Sequence, residues 1–323
     1  MINILISGVG GDVAQGVIKC IQKSSLKTQI YKIGHNTESS WLYKDNLSFL
    51  CPPVSSGEYI DYLCSFINKH KIDVFMPCID SEIYKISDHA KKINNETGCQ
   101  VVVGDIKRIL ICEDKYQTYK FLKDNDFSYP ETYLCTDSRY NKFPYILKSK
   151  SGCGSKDIFQ IDNEKQLKDH LFGEQQILQE RLDGDEYTAG VCLGNDKEIK
   201  GVCIFKRKLK CGSTNFAERI IDKEMEAYIC SIAKKLGLNY VNIQFKLKDG
   251  LPCPFEFNGR FSGTTGIISR VFNAPEIWLR ENIMGEYVEP CVNDKKFYVM
   301  RYVEEIYASE EEVSSLIERS QND

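Results

Sequence analysis

The sequence predicts an α/β fold in which a parallel sheet is followed by regions built from antiparallel strands. Over the first hundred residues, short apolar runs such as 2–7 and 73–76 alternate with stretches of helical periodicity. This alternation is typical of a parallel sheet with helices on its faces. Further along, two hairpin patterns place strand-like runs on either side of Gly194-Asn195-Asp196 and of Asp249-Gly250.

The first region begins with a glycine-rich loop, Gly8-Val9-Gly10-Gly11, between the first strand and a helix. A dinucleotide fingerprint needs glycine where Val13 stands and an acidic residue where Gly34 and His35 stand. We therefore interpret the loop as a tight turn or a substrate-facing loop, with a dinucleotide site as the weaker alternative. The remaining predicted elements are a strand at 29–33, helices at 58–70 and 81–93, and a strand at 100–103.

The second region carries strand and helix patterns in a different order. A strand pattern at 145–149 leads directly into a loop rich in glycine and serine. The other predicted elements are helices at 114–123 and 222–236, strands at 176–181, 240–248 and 252–258, a hairpin over 186–206, and a charged helix in the last twenty residues.

Composition excludes several classes of protein. The 323 residues carry a formal net charge of −4 without a dominant basic stripe, so we expect no nucleic-acid partner. The apolar start at 1–7 is too short for a signal peptide or a membrane span. The 14 cysteines are scattered singly without a C-x-x-C pair, which favours reduced packing thiols in the cytoplasm over disulfides or zinc.

The segment 254–260 and the strand that precedes it carry the most informative chemistry. Alternate residues of a strand point to one face, which here would carry Glu256, Asn258 and Arg260. Gln244 joins them from the partner strand, while Phe255 and Phe257 would fill the opposite, buried face. A carboxylate with amide oxygens suits Mg²⁺, and the arginine suits a phosphoryl group. The alternative is an exposed polar strand face beside an ordinary turn.

A lysine and a glycine loop form a second pattern. Lys148 ends a strand, and the loop 150–155 follows at once. Mobile backbone amides beside a lysine suit the phosphates of a nucleotide. The alternative is a solvent-exposed hairpin, which often has this composition. Cys153, inside the loop, is the thiol whose reactivity we would test.

The order of these motifs resembles that of ATP-grasp enzymes. The order runs from Lys148 and its glycine loop, through the stretch 179–188 (QERLDGDEYT) and Gln244-Phe245, to Glu256-Phe257-Asn258-Gly259-Arg260. The sequence looks most like the synthetase halves of the carbamoyl-phosphate synthase large subunit and small ligases built like them. The resemblance covers about residues 1–305, and its specific motifs lie within 145–266.

The resemblance implies a nucleotide site. Glu180 and Leu182 would line the hinge and give backbone hydrogen bonds to adenine, and Glu186 would hold the ribose hydroxyls. The ATP phosphates would be contacted by two lysines and a mobile lid, namely Lys115, Lys148, Gly152, Cys153, Gly154 and Ser155.

The resemblance also implies a metal site and a transfer site. One or two Mg²⁺ ions, with Mn²⁺ as a second candidate, would be held by Gln244, Glu256 and Asn258. Glu256 would bridge, and the catalytic residues Arg260 and Lys148 would stabilise the γ-phosphoryl group in transfer. Segment 261–266 would close the acceptor side.

Three departures qualify the resemblance, and a loop of the first region extends it. Gly259 stands where the family commonly has proline, and Asp157 where the lid usually has glycine. Arg207, in a basic run, would contact phosphate or substrate, with a solvent-facing side chain as the alternative. Asp80 and Glu82 would face the active cleft, or would simply cap the helix that follows.

The resemblance implies a Rossmann-like pre-ATP-grasp domain at 1–108 followed by an ATP-grasp fold of two α+β subdomains at 109–183 and 184–305, with a tail at 306–323. The implied activity is ADP-forming ligation of a small-molecule carboxylate to an amine or ammonia through an acyl-phosphate. The alternatives are a small-molecule kinase and a catalytically silent nucleotide-binding regulator. We expect no membrane partner, and a homodimer stays open.

Overall fold

The computed structural model describes residues 1–135, 143–152, 158–168, 170, 173 and 175–322. The strands are β1 (Ile2–Ile6), β2 (Thr28–Gly34), β3 (Ser48–Leu50), β4 (Val74–Met76), β5 (Gln100–Val101), β6 (Thr132–Leu134), β7 (Tyr145–Ser149), β8 (Phe159–Ile161), β9 (Gln176–Glu180), β10 (Glu186–Leu193), β11 (Ile199–Lys210), β12 (Ser213–Ile220), β13 (Tyr240–Lys248), β14 (Leu251–Asn258) and β15 (Tyr298–Met300).

The helices are α1 (Asp12–Lys23), α2 (Tyr59–His70), α3 (Asp80–Thr97), α4 (Ile106–Glu113), α5 (Lys115–Asp124), α6 (Glu164–Lys168), α7 (Lys223–Leu236), α8 (Thr265–Ile268), α9 (Ala274–Asn282) and α10 (Glu310–Gln321). The chain divides into two compact units. The first contains Met1–Ile106, Arg260–Cys291 and Arg301–Asp323, and the second contains Lys107–Gly259 and Val292–Met300.

The first unit is built on a parallel sheet with strand order β3-β2-β1-β4-β5. The predicted alternation of strands and helices is confirmed. Its central strands are apolar because helices cover both faces, and Leu5 and Phe75 are fully buried. The three-residue strand β3 was not predicted.

Later parts of the chain complete the first unit. Helix α1 packs against α8 and α9. The backbones of α1 and α8 meet at two glycines, since a Cβ on Gly266 would lie 2.9 Å from the Cα of Gly16. Helix α10 lies against β3, where Leu50 N donates to Ser320 Oγ at 2.8 Å and Arg319 Nε donates to Ser48 O at 2.8 Å.

The second unit contains two antiparallel sheets. A four-stranded sheet has the order β6-β9-β7-β8, and a six-stranded sheet has the order β14-β13-β10-β11-β12-β15. Both predicted hairpins are present, β10–β11 and β13–β14. The turn of the second has Asp249 and Gly250 at φ 52° and 82°, the left-handed pair that a tight two-residue hairpin needs. Within the described residues, no helix is long and apolar enough to cross a bilayer.

Candidate active site

The hairpin β13–β14 brings together the three side chains predicted as metal ligands. Gln244 stands directly opposite Glu256 in the antiparallel register. Gln244 Nε2 donates to Glu256 Oε1 at 3.3 Å, and Asn258 Nδ2 approaches the same oxygen at 3.4 Å. The carboxylate of Glu256 is therefore flanked by two amides.

A β-bulge changes the opposite face of β14. The register shifts between Gln244 and Phe245, whose partners are Glu256 and Pro254, so Phe255 is the extra residue. Phe257 is 2% exposed, as predicted, but Phe255 is only half-buried. The ring centroid of Phe255 lies 5.5 Å from Lys148 Nζ. The prediction that both rings share one buried face was wrong, because an inserted residue breaks the two-residue alternation.

Arg260 lies two residues beyond the end of β14. Strand β14 ends at Asn258, and Arg260 belongs to the first unit. There its Nε and NH2 donate to Asp80 Oδ1 and Oδ2 at 2.5 and 2.6 Å, and its NH1 donates to Phe261 O at 2.8 Å. The predicted common face with Glu256 was wrong, because the extended conformation stops two residues earlier.

Asp80 and Glu82 lie in the first turn of α3, and Glu82 accepts hydrogen bonds from the backbone of Ile79 and Cys78, so the helix-capping alternative fits Glu82. The N-cap of α3 is Ile79, and it makes no side-chain capping bond. Asp80 holds Arg260, while the buried carboxylate of Glu82 accepts hydrogen bonds from Ser7 Oγ and Tyr59 OH. Burial raises the pKa of Glu82, and these hydrogen bonds oppose the rise.

Gly259 lies close to the ends of three side chains of the second unit. A Cβ at this position would lie 2.9 Å from Ile109 Cδ1, 3.0 Å from Leu238 Cδ1 and 3.1 Å from Cys112 Sγ. A larger residue at this position would therefore require these side-chain ends to shift.

Lys148, at the end of β7, is a buried cation. It is 7% exposed, and desolvation lowers its pKa to about 8. The charge of Glu256 opposes this shift, Lys115 reinforces it, and Glu186 opposes it. The structure therefore gathers the predicted phosphate-binding lysines and two of the predicted carboxylates into one electrostatic environment.

The start of the glycine loop is tied to helix α5. Asp114 caps this helix by accepting from Tyr116 N at 2.8 Å and Gln117 N at 3.3 Å. Lys115 Nζ then donates to Gly152 O at 2.8 Å. Lys115 is thus bonded to the start of the loop, and the contact of both with phosphates stays a prediction. The other lid positions, Cys153, Gly154, Ser155 and Asp157, lie outside the described residues.

Two lysines of β13 anchor the predicted hinge. Glu180 Oε2 accepts from Lys248 Nζ at 2.7 Å and from Glu131 N at 3.0 Å. The carbonyl of Leu182 accepts from Lys246 Nζ at 2.9 Å. Sequence reasoning missed both lysines, although their period-two spacing after Gln244 was a signal for a shared strand face.

Arg207 connects a predicted ribose ligand with a predicted metal ligand. It pairs with Glu186 in the register of β10 and β11. Its Nε and NH2 donate to Glu186 Oε1 at 2.9 and 2.7 Å, and NH2 also donates to Gln244 Oε1 at 2.8 Å. The side chain is 8% exposed, so the solvent-facing alternative is wrong.

The predicted metal ligands, Gln244, Glu256 and Asn258, offer oxygen atoms and a single negative charge. Among the described residues there is no group of three or more His, Cys, Asp or Glu side chains that could hold a metal. One carboxylate and two amides instead fit a hard cation that takes its remaining ligands from phosphates and water.

Two family models match consecutive parts of the chain. Residues 4–102 match the PylC-like, N-terminal domain, and residues 112–264 match the ATP-grasp domain. The fold and these matches define a protein with an ATP-grasp fold preceded by a domain with a parallel sheet. The predicted ATP-grasp resemblance and fold class are confirmed, whereas the closer likeness to carbamoyl-phosphate synthase stays a prediction.

Among curated proteins, the chain is 30% identical over 172 residues to an uncharacterized protein of Mycoplasma genitalium. This match covers 48% of this chain and 56% of that protein, and a homologue from Mycoplasma pneumoniae is 30% identical over 60 residues, covering 19% of this chain and 21% of that protein. The matches thus span less than two thirds of either relative.

Three solved structures share the fold at low identity. N5-carboxyaminoimidazole synthetase from Staphylococcus aureus, complexed with ADP, has a TM-score of 0.74 at 14% identity and covers 94% of this chain and 82% of its own. L-amino acid ligase from Bacillus licheniformis has a TM-score of 0.65 at 13% identity and covers 87% of this chain and 74% of its own. The third is the biotin carboxylase domain dimer of 2-oxoglutarate carboxylase from Hydrogenobacter thermophilus, in complex with MgADP, ADP and bicarbonate. It has a TM-score of 0.67 at 12% identity and covers 89% of this chain and 71% of its own.

Proposed function

We propose that this protein is an ATP-dependent ligase that joins a small-molecule carboxylate to an amine or ammonia and releases ADP and phosphate. The observation that carries the proposal is the grouping of Glu256 with Gln244 and Asn258 beside the buried cation Lys148. Related folds include a ligase of L-amino acids and structures that contain ADP or MgADP, which supports ATP as the substrate and Mg²⁺ as its ion.

The nucleotide would lie along the second unit. Glu180 and Leu182, anchored by lysines of β13, would present backbone groups to adenine. Glu186, oriented by Arg207, would accept hydrogen bonds from the ribose hydroxyls. Lys115 and Lys148 would contact the phosphates, with the glycine loop that starts at Gly152 closing over them.

Glu256, Gln244 and Asn258 would hold Mg²⁺, and Mn²⁺ suits the same donors. Asn258 now turns an N–H group toward Glu256, and rotation of its amide would present its oxygen to a cation. Gln244 Oε1 accepts from Arg207 NH2, so this oxygen would reach a cation through its second lone pair. The ion would supply charge neutralisation between the phosphates.

The residues of the chain position and stabilise charge, and the reaction needs no protein nucleophile. A carboxylate oxygen of the substrate attacks the γ-phosphorus, and the bond to ADP breaks. Lys148 and Arg260 would neutralise the charge on the transferring group. The amine nitrogen then attacks the carbonyl carbon of the acyl-phosphate, phosphate leaves, and the nitrogen loses a proton to solvent.

Nucleotide turnover with Mg-ATP, measured across pools of carboxylates and amines, tests the proposal. Chromatography distinguishes ADP from AMP. ADP that appears only when one carboxylate and one amine are both present supports the ligase. AMP would contradict the acyl-phosphate route, and ADP formed without any amine would indicate a small-molecule kinase. Tight Mg-ATP binding without turnover across the pools would favour a regulator.

A further inference from the structure

Asp80 and Arg260 form a bidentate ion pair that fixes the orientation of the guanidinium. Both carboxylate oxygens of Asp80 accept from the guanidinium of Arg260, at 2.5 and 2.6 Å. The side chains are 21% and 9% exposed, so solvent screens the pair weakly. Two parallel bonds of this kind fix the plane of a guanidinium, which one ionic contact does not.

The first turn of α3, which carries Asp80, is held by a buried network around Glu82. Asp80 is the first residue of α3, directly after the turn that leaves β4. In that turn Cys78 N donates to Ser7 Oγ at 3.1 Å, and Ser7 Oγ donates to Glu82 Oε2 at 2.5 Å. Tyr59 OH donates to the other oxygen of Glu82, which is fully buried. The carboxyl ends of β1 and β4 are thereby joined to the first turn of α3.

We propose that Asp80 is the positioning residue for Arg260, and this inference rests on the proposed function. Arg260 follows the end of β14 and is not held by strand pairing. Its orientation toward a γ-phosphoryl group would therefore depend on Asp80 and on the carbonyl of Phe261. Asp80 makes no contact with the nucleotide in this proposal and acts through the guanidinium alone.

A competing effect has the opposite sign. The negative charge of Asp80 repels phosphate, so its removal would by itself strengthen binding of an anion. Removal of the Asp80 carboxylate also takes two charge-assisted hydrogen bonds from Arg260. The arginine then becomes more mobile, which weakens its directed contact with a phosphoryl group. We expect the loss of orientation to outweigh the loss of repulsion, because the guanidinium of Arg260 already neutralises the charge of Asp80.

The discrimination between tri- and diphosphate measures this role without knowledge of the acceptor. Calorimetry would determine Kd for Mg-ADP and for the Mg complex of the non-hydrolysable β,γ-imido analogue of ATP. For Asp80→Asn we expect the analogue to bind about tenfold more weakly, while ADP binding changes less than about twofold. Asp61→Asn is the matched control, because Asp61 is 80% exposed and only 3.5 Å from Lys92.

A double-mutant cycle identifies the route of the effect. In an Arg260→Ala background, Asp80→Asn should have no further effect on either Kd. An equal loss in that background, unchanged affinities, or a gain in analogue affinity for Asp80→Asn would each overturn the inference. Asp80→Glu, which keeps the charge, should recover part of the loss, and Asp80→Ser replaces Asp80→Asn if the latter fails to fold. If the unmodified protein binds neither nucleotide, the proposed function fails instead.

Discussion

Arg207 and Glu186 face each other across β10 and β11, joined by two hydrogen bonds from one guanidinium to one carboxylate oxygen, at 2.9 and 2.7 Å. The same guanidinium reaches the amide oxygen of Gln244 at 2.8 Å. A change at Arg207 is therefore felt at both the proposed ribose ligand and a proposed metal ligand.

Arg207→Lys should weaken Mg-ADP binding by about tenfold, since lysine keeps the charge but loses the fork that orients two partners. Isothermal calorimetry measures the change. Lys206→Met is the control on the neighbouring residue, which pairs with Asp185 at 2.6 Å and is 37% exposed. If Arg207→Lys and the unmodified protein bound Mg-ADP equally well, the proposed role of Arg207 in nucleotide binding would be wrong.

Glu256→Gln should leave the fold intact yet lower ADP production by several powers of ten, because it removes the carboxylate charge from the proposed Mg²⁺ ligands. Glu256 is only partly buried, and glutamine has nearly its volume. Turnover and thermal unfolding would be measured together. Near-normal turnover by a folded variant would refute the metal assignment.

The lowered pKa of Lys148 predicts that the stability of the protein depends on pH. Its pKa in the folded protein is about 8, below the usual 10.5, so above pH 8 the unfolded chain binds more protons at this residue. Its contribution to the free energy of unfolding should therefore rise between pH 8 and 10.5, by at most about 1.4 kcal/mol per pH unit. Denaturant titrations of the unliganded protein would measure it.

The comparison with Lys148→Met isolates this effect, because methionine removes the titrating group while retaining apolar volume. Lys235→Met, at an exposed position of α7, is the matched control and should follow the unmodified protein. Parallel stability curves for the unmodified protein and Lys148→Met would contradict a lowered pKa.

Gly266→Ala should destabilise the first unit by about 1–3 kcal/mol, because the new Cβ would press on the Cα of Gly16 and separate α8 from α1. Thermal unfolding would show the loss as a lower Tm. Gly57→Ala is the control, since a Cβ there meets nothing within 4 Å. A Tm equal to that of the control would show that the two helices separate without cost.

The sequence predicted those parts of the site that depend on local spacing. Gln244 and Glu256 were predicted on the two strands that Asp249-Gly250 joins, but the bulge at Phe255 sets them opposite each other, since the turn alone would pair Gln244 with Phe255. The bulge at Phe255 was unpredictable, since one inserted residue leaves the composition of the strand unchanged. Only folding could reveal that Arg260 pairs with Asp80, which lies 180 residues earlier.

Arg207 shows an intermediate case. Its distance of 21 residues from Glu186 is compatible with the predicted hairpin, but the register depends on the length of the turn and on an irregularity near Leu193. A one-residue shift would have turned the guanidinium to the other face of the sheet. The sequence predicted the hairpin as far as residue 206, one residue short of Arg207, and the direction of the side chain required the register.

Helix α10 has a consequence for self-association. A strand at the margin of a parallel sheet presents backbone groups to which a strand of another molecule can add. On β3 the amide of Leu50 and the carbonyl of Ser48 already bond to side chains of α10. The helix thus occupies the hydrogen-bonding positions that an incoming strand would need, and it shields this margin of the sheet from aggregation.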